Sequence, residues 1–71
     1  MQDFEILITS PPDRENLVAE IWLQNQMIAE INQENKTLEL EIFVKENGTI
    51  KLSYNEFINI LKEARKKLVG R

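Results

Sequence analysis

A chain of 71 residues with 42% hydrophobic and 30% charged side chains has room for one thin domain, burying roughly 60% of the surface its unfolded form exposes. Cysteine and histidine are both absent, which excludes disulfides and thiolate metal sites and removes the commonest general base. A net charge of −3 weighs against non-specific nucleic-acid binding, no apolar run nears the ~20 residues of a membrane span, and Met1-Gln2-Asp3-Phe4-Glu5 lacks the start of a secretory signal. The expectation is a cytoplasmic, non-enzymatic protein with no cofactor, nucleic-acid or membrane partner.

Phe4 to Thr9 reads as a first strand (4–9) with Phe4, Ile6 and Ile8 on one side. Ser10-Pro11-Pro12-Asp13 stops it, because two prolines remove two ladder donors. From Asn16 to Asn32 two readings compete. On a helical wheel Leu17, Ala19, Trp22, Leu23 and Met27 scatter all round and leave no polar face. With period two, Leu17, Ala19, Ile21 and Leu23 share a side. The strand reading wins, giving strands at 17–23 and 27–32 joined by a turn at Gln24-Asn25-Gln26. In that register Met27, Ala29 and Ile31 face inward, and Ile28 and Glu30 outward. After a second turn at Gln33–Lys36, a fourth strand (37–44) alternates Leu38, Leu40, Ile42 and Val44 with Glu39, Glu41 and Phe43. A loop at Glu46-Asn47-Gly48 leads to a short fifth strand (49–52), pairing Val44 with Ile50 and Ile42 with Leu52.

Ser53 followed by Glu56 is a capping box, and Leu52 before it can staple onto Phe57. Tyr54, Phe57, Ile58, Leu61, Ala64 and Leu68 then form an apolar stripe on a helix at 54–69. Lys62, Arg65, Lys66 and Lys67 complement the helix dipole near its C-terminus, and Gly70 suits the position just past the end. The predicted fold is α+β: a four- to five-stranded antiparallel meander with one C-terminal amphipathic helix on one face, spanning residues 1–71.

The turns set registers that place Glu20 opposite Glu30, and Glu30 opposite Glu39, with Ile31 facing Leu38 and Ala29 facing Leu40. Three carboxylates then share one cross-strand row, with Glu41 diagonal to it and Trp22, Ile28 and Phe43 towards one end. Like charges directly opposite destabilise a sheet, so the row asks for a cation. Solvation and salt screening are one way to tolerate it. A basic protein partner seated on Glu20, Trp22, Ile28, Glu30, Glu39, Glu41 and Phe43 is another. A divalent cation is a third, although a flat row lacks the enclosing oxygens such ions want. Ser53 is accounted for as a cap and Ser10 has no base beside it, so no nucleophile is assembled. The basic helix end, including Arg71, has no aromatic platform for nucleic acid.

The strings Leu17-Val18-Ala19-Glu20-Ile21-Trp22, Ala29-Glu30-Ile31-Asn32-Gln33-Glu34-Asn35, Leu38-Glu39-Leu40-Glu41-Ile42-Phe43 and Leu61-Lys62-Glu63-Ala64-Arg65-Lys66-Lys67-Leu68 resemble a group of short bacterial proteins. In these a strand hairpin is followed by an acidic strand and a helix. The resemblance covers the sequence from about Leu17 onward, implies a bacterial origin, and brings no activity with it. The expected function is a protein-binding module of the immunity, antitoxin-like or adaptor kind. The alternatives are an oligomeric structural protein and a carboxylate-based cation binder.

Overall fold

The computed structural model describes residues 3–43 and 48–70. Among these, four strands precede one helix: β1 (Phe4–Thr9), β2 (Val18–Leu23), β3 (Gln26–Asn32), β4 (Glu39–Ile42) and α1 (Tyr54–Val69). The strands form one open antiparallel sheet in the order β1-β2-β3-β4, the expected meander. The expected fifth strand is not formed, since residues 48–53 carry no strand. Ile50 and Leu52 instead pack against the core as partly buried side chains, as Phe57 does. Val44, its pairing with Ile50, the turn at Glu46-Asn47 and Arg71 lie outside the described residues.

The β2–β3 hairpin closes on two residues rather than three. Gln24 and Asn25 have φ of 49° and 65°, the left-handed pair whose twist matches that of antiparallel strands. Leu23 therefore pairs with Gln26 and Trp22 with Met27, whereas Ile21 pairs with Ala29. The residue left over, Ile28, is a β-bulge, and a bulge re-aims side chains. Ile28 is accordingly 2% exposed and belongs to the core, not to the outer face where simple alternation puts it. Met27 takes the outward place beside Trp22.

The core gathers Ala19 and Ile21 of β2, Ile28, Ala29 and Ile31 of β3, and Ala64 and Leu68 of α1. Phe4 of β1 meets Phe57 of α1 with ring centroids 6.2 Å apart. Leu61 and Ile60 pack against the same cluster, but Tyr54 does not join the expected stripe and stands 78% exposed. It is the first residue of the helix, with no preceding turn to press it down on the sheet. Glu56 N–H donates to Ser53 Oγ at 3.4 Å, and Gly70 ends the helix with φ 74° and its N–H on the Lys66 carbonyl. Both ends are therefore satisfied by the predicted residues.

The helix lies across β1 and β2. That off-centre seat leaves β4 only partly covered on its inner side, where Leu40 is 43% and Ile42 57% exposed and Ile42 borders a cavity with Ile50, Leu52 and Phe57.

Candidate functional site

Glu20 does face Glu30, but Glu30 faces Glu41, and Glu39 falls opposite Asn32. The β3–β4 register is thus two residues off the expected one, with Ile31 on Leu40 and Ala29 on Ile42. A shift of two preserves the faces, so apolar residues still meet inside. The turn between these strands runs longer than four residues, because Thr37 and Leu38 are not part of β4. The row on the outer face is therefore Glu20–Glu30–Glu41.

A cation from the same chain lies on that row. The segment joining β1 to β2 turns tightly after Pro11, where Arg14 N–H donates to the Pro11 carbonyl at 3.2 Å. Pro12 fits the second position of such a turn because its ring presets φ. The turn lays Arg14 across the sheet, with Nη2 2.9 Å from Glu30 Oε2 and also bonded to Glu41 Oε2. Asn32 is fully buried, and its Nδ2 donates to Glu41 Oε2 at 2.7 Å and to Glu30 Oε2 at 3.4 Å. Glu20 accepts from Trp22 Nε1 at 3.0 Å and Thr9 Oγ1 at 3.2 Å. Glu30 and Glu41 share Arg14 and Asn32 as donors and Glu20 has Trp22 and Thr9, so the repulsion expected along the row is met from within.

The strap is tied down at its far end. The Glu34 carboxylate accepts from the backbone N–H of Glu15 and of Asn16, each at 3.1 Å, and from Asn16 Nδ2 at 3.4 Å. Asn16 Nδ2 also donates to the Gln33 carbonyl, and Gln33 Nε2 donates to that of Leu17. The Glu15 N–H first, with both donors of Asn16 and the charge of Arg14, holds the Glu34 carboxyl below its ordinary range against the opposing effect of burial. For Arg14, burial disfavours the charged guanidinium. Glu30 and then Glu41 outweigh it and raise the group further above its ordinary value.

Hydrophobic periodicity does not single out Arg14, which stands among turn residues. One signal is present in the sequence. Only Arg14 and Lys36 bring positive charge to the stretch before β4, and Arg14 sits near the middle of the β1–β2 connection. Of the predicted surface residues, Glu20, Trp22, Glu30 and Glu41 do share the outer face. Ile28 leaves it for the core, and Phe43 comes just after β4, its N–H on the Ile28 carbonyl at 2.9 Å.

Among the described residues no three acidic groups converge as a metal site, and no helix is long and apolar enough to cross a membrane. Among the described residues no strand pairs with the outer edge of β4. Glu39 is exposed, and its side chain makes no hydrogen bond or ion pair among the described residues. On the inner side a cleft of about 290 Å³ separates β4 from α1, floored by Ile31, Leu38, Leu40 and Leu61 and flanked by Glu39, Lys62 and Arg65. No protein-family model, curated protein or solved structure matches the chain.

Proposed function

We propose that this chain is a non-enzymatic protein-binding module that takes up an extended segment of a partner along the free edge of β4. The observation that carries the reading is β4 itself. Among the described residues it has a strand neighbour on one side only, and its inner-face side chains Leu40 and Ile42 are half out of the core. An open strand edge beside an apolar surface is the geometry of β-strand addition, in which main-chain hydrogen bonds hold the partner and alternate side chains select it. Glu39 on the outer side favours lysine or arginine at the partner position beside it, while Leu40 and Ile42 favour apolar residues at the alternate ones.

The basic partner is thus met beside the glutamate row, by Glu39 and Phe43. The row itself, Glu20, Glu30 and Glu41, is engaged by Thr9, Trp22, Arg14 and Asn32. A second copy is the poorer occupant. An antiparallel pairing of two β4 strands that keeps Leu40 and Ile42 on one face sets glutamate against glutamate on the other.

Selection from a random octapeptide display library tests this. Enriched sequences are expected to place a basic residue among alternating apolar ones, and to lose binding to the Ile42→Lys and Glu39→Lys variants at unchanged Tm. Enrichment without alternation, or binding that survives both substitutions, removes β4 as the docking edge.

A further inference from the structure

On that reading, we infer that the segment received at β4 is a free polypeptide C-terminus, with its terminal carboxylate held by Arg65 and Lys62 and its last apolar side chain in the cleft beside Leu38 and Leu40. Direction comes first. A strand added antiparallel to β4 runs from the Ile42 end towards Leu38, and antiparallel pairing is the more stable kind per residue. Such a segment arrives at the cleft floored by Ile31, Leu38, Leu40 and Leu61. A volume of about 290 Å³ lies at the lower margin of ligand pockets, which run from roughly 300 to 1,000 Å³. It suits one aliphatic side chain better than a cofactor.

Charge decides which group lies beyond that side chain. Lys62 and Arg65 are exposed at the rim, and their side chains make no hydrogen bond or ion pair among the described residues. An internal segment running on past them offers only neutral backbone, so neither cation finds an anion. A terminus places a carboxylate there, and a guanidinium binds a carboxylate through two parallel N–H donors. Glu39 also borders the cleft, but Lys62 and Arg65 outnumber it, so the rim keeps a positive excess for the terminus.

The probe is a synthetic heptapeptide of alternating valine and lysine closed by leucine, made as the free acid and as the C-terminal amide. The protein's net negative charge favours the amide, so a preference for the acid reports local cations. The acid is expected to bind about tenfold more tightly than the amide, the scale of one charge-assisted contact. In Lys62→Gln/Arg65→Gln the difference should fall below about twofold at unchanged Tm. Equal binding of acid and amide, both weakened by Ile42→Lys, overturns the C-terminal inference and leaves the edge reading standing. No binding of either form, or binding indifferent to Ile42→Lys, overturns both.

Discussion

Arg14 Nη2 sits 2.9 Å from Glu30 Oε2, carried there by the strap that crosses the sheet. One guanidinium from a turn thereby neutralises a carboxylate on a central strand and a second on the edge strand, Glu41. The pair is more than a surface ion pair, because Glu30 is buried and cannot exchange its partner for water.

Arg14→Met leaves Glu30 facing both Glu20 and Glu41 without a cation. The Tm of the variant should fall, and most of the loss should return in Arg14→Met/Glu30→Gln, where no buried charge remains. A double-mutant cycle measured by thermal unfolding checks this. Additive losses would mean that the strap and the row are energetically independent.

Acid should loosen the strap before it unfolds the sheet. Glu34 is held below its ordinary carboxylate value of 4.5 by the Glu15 and Asn16 donors. A group depressed in the folded state contributes stability above its unfolded pKa and loses it as pH falls through the folded value. Urea midpoints of the wild type should therefore fall below about pH 4.5, and the Glu34→Gln variant should show a shallower decline. Parallel acid limbs in the two proteins would count against the contact.

The bulge assigns opposite environments to two neighbours. Ile28→Ala should cost about 2–5 kcal/mol, as truncations in a packed core do. Met27→Ala on the outer face should cost under about 1 kcal/mol. Chemical denaturation of the two variants separates the alternatives, since a bulge-free hairpin predicts the reverse order.

The hairpin turn carries removable strain. Asn25 tolerates positive φ, but Gln24 at 49° does so at a cost for an L-residue with a long side chain. Gln24→Gly should raise stability by about 0.5 kcal/mol, the relief outweighing the added backbone entropy of the unfolded state. A lower denaturation midpoint would show that contacts of Gln24 are worth more than its backbone costs.

Local rules are enough for the elements whose causes are local. Ser53, Gly70 and the apolar stripe from Phe57 to Leu68 define the helix, and strict alternation defines the strands and the apolar inner face of β1, β2 and β4. Period two carries no information about where a residue is inserted, so the bulge at Ile28 and the two-residue shift of Glu41 into the row are not legible in it. The shift leaves the alternation of β4 intact, whereas the bulge puts the neighbours Ile28 and Ala29 both in the core.

The sequence by itself determined an antiparallel meander under one helix, and that acidic side chains would meet in a row on the far face. Only the tertiary structure decided what answers that row. Arg14 is distant in sequence from Glu30 and Glu41, and nothing local aims it at them. Its position follows from the tight turn after Pro11 and from the bonds of Glu34 to Glu15 and Asn16, which draw the strap across the sheet. The helix, seated over β1 and β2, likewise left β4 only partly covered, because hydrophobic periodicity states which face is buried but not how far along the sheet the cover extends.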